Sequence, residues 1–423
     1  MLCLLVAGMA GAQKVNQRDY ISMRLVPNHA DWVYEVGEEV EIEVAAIRHY
    51  VPIPNIDLQW EWGMEQRQPS AEGIVSSGKK GVQVLRLKGA AEPGFYTLQV
   101  GVSIDGKAYH NSINIAFAPE QIQPTAVLPA DFDTFWEQSV AIARSVPLKP
   151  LLVPLPERST PEADVYEVRF QNYKEGQYLY GTLAVPSGVN PRDSAARYPA
   201  LIVWPGAGVK PHHGDVDYFP ARGVITLEMG INGIPVNLPQ QVYDDLRANA
   251  LRDYNAIHND DREAYYYRRV YAGTVKTVDF LCALPCVDTA RIGCYGGSQG
   301  GALSIVNAAL DKRIKVAAVA YPALAEIAGY MRGRVAGWPK WKKMTHEQIA
   351  VADYYDVVNF ARKISCPVWF SIGFNDQVCC PTTTYSVYNV LECPKELFTP
   401  LDCAHWMYPE HKVLRAEWLL QHL

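Results

Sequence analysis

The sequence predicts an α/β chain of 423 residues, a mostly parallel sheet flanked by helices with a small β-sandwich in front of it. Three observations carry that reading. Apolar residues recur at every second position from about 32 to 117, the mark of strands with one buried face. Beyond a proline-punctuated stretch the apolar runs become continuous and alternate with helical patterns, as strands buried on both faces do. One of those runs ends in a serine set among glycines immediately before a helix.

In the front part Val40, Ile42 and Val44 alternate with Glu39, Glu41 and Glu43, and Ile56, Leu58, Trp60 and Trp62 repeat the pattern. Tyr96, Leu98, Val100, Val102 and Ile104 form a third run. It is closed by Asp105-Gly106, a hairpin signal, before Ile113, Ile115 and Phe117. These runs predict an immunoglobulin-like sandwich over residues 13–118, without the internal cysteine pair of antibody domains. The stretch APEQIQPTAVLPADFD, Ala118 to Asp133, has no periodicity and marks the boundary, so that 119–423 hold a linker and the α/β domain. Strands of that domain are read in YPALIVWPG, GVITLEMG, ARIGCYGGS, RIKVAAVAYP, CPVWFSIG and KELFTPLD.

A net charge of -6 leaves no basic footprint, which argues against nucleic acid as a partner. Residues 1–12 form a short apolar run ending in Ala10-Gly11-Ala12 and are read as a signal peptide, implying a secreted or periplasmic protein. No Lys or Arg precedes Lys14, a departure from the usual signal pattern. The run is too short to span a bilayer and no other segment is apolar enough, so no membrane span is expected. Eight further cysteines lie between Cys282 and Cys403 and could be buried thiols with one or two bridges. Cys282 and Cys286, or the adjacent Cys379 and Cys380, do not have zinc-pair spacing, and no metal is expected.

The chemistry centres on Gly296-Gly297-Ser298-Gln299-Gly300. Arg291 to Tyr295 reads as a strand and Gln299 to Leu310 as a helix, so this GxSxG sits at a strand-to-helix turn, the context of a nucleophile elbow. Glycines are needed because flanking side chains would clash in so sharp a turn. A serine hydroxyl is a weak nucleophile until a base takes its proton, and the base needs a carboxylate to orient it. In an α/β-hydrolase those partners follow the serine as acid and then histidine, each at the end of a strand. Asp376, after CPVWFSIG, and His405, after KELFTPLD, fit that order, with Asp402 the second choice for the acid. The oxyanion donors are expected from the backbone of Gln299, at the helix N-terminus, and of Ala207, in Pro205-Gly206-Ala207-Gly208. His212 and His213, further along that loop, read as solvated, while His346 and His411 are poorer bases.

The stretches DFDTFW (131–136), DREAYYYRRVYAGTVKTVDFL, RIGCYGGSQGGALS and GFNDQVCCPTT resemble the acetyl xylan esterases and cephalosporin-C deacetylases, carbohydrate esterases of α/β-hydrolase fold. The resemblance covers nearly all of the chain after residue 125. It implies the triad Ser298, Asp376 and His405, the oxyanion positions Gln299 and Ala207, no cofactor, and a homo-oligomer. Two stretches depart from the family pattern: Pro205-Gly206, where relatives usually carry His-Gly, and EMGINGIPVNLP in place of an Asp-Arg-Gly-like segment. The front sandwich is outside the match and resembles the accessory domain of exported relatives.

The expected activity is therefore removal of acetyl groups from O-acetylated saccharides, xylan fragments first among them, through an acyl-enzyme. Tyr321, Trp338 and Trp341 are expected to wall a short acyl pocket. Two other readings are a prolyl-oligopeptidase-like peptidase, which shares the motif and triad order, and a glycan-binding protein carrying an inactive hydrolase domain.

Overall fold

The computed structural model describes residues 21–193 and 195–423; the signal peptide read over 1–12 lies outside them. The chain divides into two compact units, Met1–Ala118 and Pro119–Leu423.

The first unit holds β1 (Ile21–Pro27), β2 (Val33–Tyr34), β3 (Val40–Arg48), β4 (Val51–Pro52), β5 (Asp57–Met64), β6 (Ala71–Ser76), β7 (Gln83–Leu87), β8 (Gly94–Ile104) and β9 (Lys107–Phe117). They form two sheets, one ordered β1-β3-β4 with β7 also on β3, the other β2-β9-β8-β5-β6. Val40, Ile42, Val44, Leu58, Trp62, Leu98, Val100, Ile113, Ile115 and Phe117 are buried in the shared core, which is why their alternation with polar residues was so regular. Asp105 and Gly106, with φ 52° and 75°, link the paired Ile104 and Lys107. Both φ values are positive, as the favoured two-residue hairpin turn demands.

The second unit is built on a nine-stranded sheet of β10 (Leu151–Pro154), β11 (Ala163–Gln171), β12 (Tyr178–Pro186), β13 (Tyr198–Trp204), β14 (Ile225–Gly230), β15 (Val287–Gly297), β16 (Ile314–Ala320), β17 (Val368–Ser371) and β18 (Lys395–Phe398). Its order is β10-β11-β12-β14-β13-β15-β16-β17-β18. The pairs from β10 to β14 are antiparallel, and those from β14 through β13 to β18 are parallel. The helices are α1 (Phe132–Ser145), α2 (Gln240–Ala248), α3 (Tyr266–Cys282), α4 (Gln299–Leu310), α5 (His346–Tyr355), α6 (Val357–Ala361), α7 (Pro381–Asn389) and α8 (Pro409–His422).

Continuous burial explains the continuous apolar runs. Leu201, Tyr295, Val316, Ala318 and Trp369 pack with Ala416, Trp418 and Leu419 of α8, while α4 packs on β13, β15 and β16. Every residue of β16 except Lys315 is buried. The linker residues from Pro119 onward are strapped to the second unit. The Thr125 and Val127 N–H groups donate to the carboxylates of Glu326 (2.9 Å) and Asp353 (3.1 Å), and Asn359 Nδ2 donates to the Val127 carbonyl at 2.8 Å.

This architecture brings the ends of six parallel strands to one edge, that of β14 at Gly230 among them. Along the parallel part, β13 ends at Trp204, β15 at Gly297, β16 at Ala320, β17 at Ser371 and β18 at Phe398. The chain leaves β13 for β14 on one side and returns through β15 on the other, so strand order reverses at β13. The crevice outside the carboxyl ends at such a reversal is where open α/β sheets place ligands.

Candidate active site

Ser298 caps the start of α4 with φ 59° and ψ −125°, a backbone region that non-glycine residues seldom enter. The surroundings over-determine it. The Ser298 N–H donates to the Ala320 carbonyl at 3.0 Å, and the Ser298 carbonyl accepts from the N–H groups of Ala302 and Ala323, both at 3.0 Å. The glycines are explained by backbone, as the sharp turn required. A Cβ on Gly296 would lie 2.5 Å from the Gly300 carbonyl carbon, one on Gly300 2.1 Å from the Trp204 oxygen, and one on Gly301 2.7 Å from the Ala320 oxygen. Helix and strand therefore meet backbone to backbone, and the serine is left at the tip.

Asp376 follows β17 and is fully buried. Its Oδ1 accepts from the N–H groups of Val378 (2.7 Å) and Cys379 (2.9 Å), and its Oδ2 lies 2.8 Å from Nδ1 of His405. Two backbone donors fix the carboxylate, and the carboxylate in turn fixes the imidazole. Asp402 is exposed and its carboxylate takes the Tyr408 hydroxyl instead, so it has no part in orienting His405.

His405 is carried back to the elbow by Tyr321, whose ring centroid is 4.7 Å from the imidazole. A Cβ on Gly297 would meet that same tyrosine ring at 3.0 Å, so Tyr321 separates the base from the floor of the elbow. Burial raises the Tyr321 pKa and keeps its hydroxyl neutral. The Ser298 side chain lies beside the Cys379 thiol, whose pKa burial pushes up, with Asp376 adding to the rise and Ser298 opposing it. No hydrogen bond joins Ser298 to His405 in this geometry, among the described residues; such contacts commonly close only once substrate is bound.

As the first residue of α4, Gln299 has an N–H without an intrahelical acceptor. The loop after β13 is tied down by side chains that sequence reasoning passed over. Gln299 Nε2 donates to the Pro205 carbonyl at 3.4 Å, Tyr254 Oη accepts from the Gly208 N–H at 3.1 Å, and Asn232 Nδ2 donates to the Gly208 carbonyl at 3.1 Å. Tyr254 and Tyr267 both donate to Gln299 Oε1, at 2.7 and 2.8 Å. The three consecutive tyrosines at 265–267, within a stretch already quoted for its resemblance, were the available signal.

Of the proposed pocket residues, Tyr321 packs on His405, and the Trp338 backbone reaches the Cys379 thiol beside Ser298. Trp341 is half-buried, and no hydrogen bond or ring contact ties it to the triad among the described residues. The solvated reading of His212 is corrected. It is 4% exposed, with Nδ1 3.3 Å from Glu228 Oε1 and its carbonyl accepting from Thr182 Oγ1 at 2.7 Å. Burial alone would raise the Glu228 pKa, but His212 and the Gly214 N–H hold it below the usual range. His213 is exposed, as expected. The eight cysteines from Cys282 to Cys403 are all free thiols.

Residues 120–422 match the acetyl xylan esterase (AXE1) family. The acetyl esterase Axe7A of Xylanibacter ruminicola is 34% identical over 430 aligned positions, covering 99% of this chain and 95% of that protein. Among solved structures, the acetyl xylan esterase of Paenibacillus sp. R4 superposes with a TM-score of 0.62 at 24% identity, over 72% of this chain and 98% of its own. Acetyl xylan esterase 1 of Thermoanaerobacterium sp. JW/SL YS485 does so with 0.57 at 23%, over 72% and 97%. Those two likenesses show the α/β-hydrolase fold of the second unit; the match over 303 consecutive residues, 120 to 422, shows more. The chain belongs to the acetyl xylan esterase family and is a carboxylic ester hydrolase.

Proposed function

We propose that the enzyme removes acetyl groups from O-acetylated saccharides, xylan and xylo-oligosaccharides first among them, through an acyl-enzyme on Ser298. What supports this most is the convergence, at one edge of one sheet, of a serine held at φ 59° and a buried Asp376 paired with His405 at 2.8 Å. His405 Nε2 takes the Ser298 hydroxyl proton while Oγ bonds to the acetyl carbonyl carbon, and the carbonyl electron pair moves onto oxygen. The N–H groups of Gln299 and Ala207 hydrogen-bond that oxyanion. Collapse breaks the bond to the sugar oxygen, which receives the proton from His405. Water then repeats the sequence on the acetyl-serine and frees acetate. Asp376 holds the imidazole in the tautomer that leaves Nε2 free to accept.

Export is part of the same proposal, resting on the run at 1–12; N-terminal sequencing of secreted material, starting at or near Gln13, tests it. The activity is tested by acetate release from acetylated xylo-oligosaccharides, with p-nitrophenyl acetate and a proline anilide alongside and Ser298→Ala as the blank. Release of acetate from the saccharide, lost in the blank, supports the reading. Cleavage of the anilide in preference to the esters overturns it in favour of a peptidase. Retention of the sandwich fragment on insoluble xylan, with no turnover by the whole chain, favours a binding protein.

A further inference from the structure

We infer that a buried relay of Tyr254, Asn232 and the Gln299 side chain positions the Ala207 N–H as an oxyanion donor, acting on one peptide plane before it and two after it. This rests on the serine mechanism proposed above. The donor belongs to the peptide plane shared by Gly206 and Ala207. The preceding plane carries the Pro205 carbonyl, which Gln299 Nε2 holds at 3.4 Å. The following plane carries the Gly208 N–H, which Tyr254 Oη accepts at 3.1 Å, and the next carries the Gly208 carbonyl, which Asn232 Nδ2 holds at 3.1 Å. Only the Gly206–Ala207 plane is left without a hydrogen bond among the described residues, as a donor awaiting an oxyanion must be.

The lock has a reason. The Gly206–Ala207 plane turns about ψ of Gly206 and φ of Ala207, and the glycine at 206 removes the steric brake on its N-terminal side. A half-turn would aim the Gly206 carbonyl at the developing oxyanion and replace attraction with repulsion. Pinning the flanking planes forbids the rotation without consuming the donor itself. The pins are themselves held: Tyr254 gives its proton to Gln299 Oε1 at 2.7 Å, and Tyr266 gives its own to Asn232 Oδ1 at 2.7 Å. Asn232, Tyr254, Tyr266 and Gln299 all have less than a tenth of their surface exposed, so water does not compete for these groups. Gln299 joins the two halves of the site, its backbone at the head of α4 and its side chain on the opposite loop.

Tyr254→Phe removes the acceptor of the Gly208 N–H, whereas Tyr267→Phe leaves that contact intact and Gln299 Oε1 still supplied by Tyr254. With p-nitrophenyl acetate, Tyr254→Phe is expected to lower kcat by about 10- to 100-fold, a share of the 10²–10³ that losing an oxyanion donor costs, with KM little changed. The affinity for a boronic acid that forms a tetrahedral adduct on Ser298 falls in the same proportion. Tyr267→Phe loses much less, and Asn232→Ala, which frees the Gly208 carbonyl one plane further along the same loop, loses as Tyr254→Phe does. The inference is overturned if Tyr254→Phe keeps kcat within twofold, or if the two tyrosine variants fall alike in kcat, KM and Tm, which is what a merely structural role predicts. A wild-type enzyme no faster than Ser298→Ala would instead refute the serine mechanism and leave the relay without a donor to position.

Discussion

Gly300→Ala tests whether the elbow and the loop after β13 are set by direct backbone contact. The new Cβ would stand 2.1 Å from the Trp204 oxygen and 2.9 Å from its carbonyl carbon. That is more than about 1 Å inside van der Waals contact, and neither partner is a side chain that can swing away. Relief requires α4 to move from the end of β13 by roughly an ångström, which carries Ser298 and Gln299 away from Pro205–Gly208. A displacement of that size at the reacting atoms costs about 10²-fold in rate. The overpacking itself destabilises by about 1–3 kcal/mol, or about 2–4 °C of Tm per kcal/mol in a large domain. Gly206→Ala is the control. Its Cβ would meet only Lys210 Nζ at 3.8 Å and the Gly297 oxygen at 3.9 Å, ordinary contacts, so its loss should be far smaller. Steady-state kinetics on p-nitrophenyl acetate and thermal melts of both variants decide. A Gly300→Ala enzyme with wild-type kcat, or one no worse than Gly206→Ala, refutes the reasoning.

Ser298→Ala should abolish organophosphate labelling and nearly all turnover, measured by mass spectrometry and ester hydrolysis; labelling that persists on another serine would move the site. Asp376→Asn should lower kcat on the order of 10⁴-fold by presenting the wrong imidazole tautomer, while Asp402→Asn, exposed and bound to Tyr408, should lose little. If Tyr321 and Trp338 wall a short acyl pocket as proposed, acyl specificity should fall from acetyl through propionyl to butyryl p-nitrophenyl esters, because such a pocket cannot gain the ~0.8 kcal/mol that each buried CH₂ offers; equal or better butyryl hydrolysis would remove the narrow pocket. Among the described cysteines, iodoacetamide on the folded protein should reach Cys282 and Cys393 first, since these two are partly exposed while Cys286, Cys294, Cys366, Cys379, Cys380 and Cys403 are buried. Peptide mapping before and after denaturation reads this out.

What could be read from the chain depended on whether burial left a periodic trace. The parallel strands did so because both faces are covered, and the sandwich strands did so because one face is. The antiparallel edge β10–β12 was not read at all. Its strands interleave Asp164, Glu167 and Arg169 with valines, and Gly181 interrupts β12 where a Cβ would meet Met229 Sδ at 2.6 Å. Neither the continuous nor the alternating pattern survives that mixture, although the backbone pairs without a break from Ala163↔Pro186 to Gln171↔Tyr178.

The site divides along a different line. Ser298, Asp376 and His405 could be proposed from the sequence because the serine mechanism demands those residue types in that order at strand ends; of the three, the structure brings Asp376 and His405 within hydrogen-bonding distance. The choice between Asp376 and Asp402 needed only the argument that an acid three residues from the histidine cannot easily reach round to it; burial of one and exposure of the other agree. The side chains that hold the loop after β13 left a fainter trace, the tyrosine run at 265–267. Asn232, Tyr254 and Gln299 come from separate segments, and each is of a type that a core or a turn would equally accept. His212 misled for the same reason. A histidine in a glycine-bearing loop looks solvated until the strand beside it supplies Glu228, a partner sixteen residues away that no spacing rule connects to it. Residue types that a reaction demands in a fixed order can therefore be proposed from the sequence, whereas the hydrogen bonds around them depend on distances that only the folded chain sets.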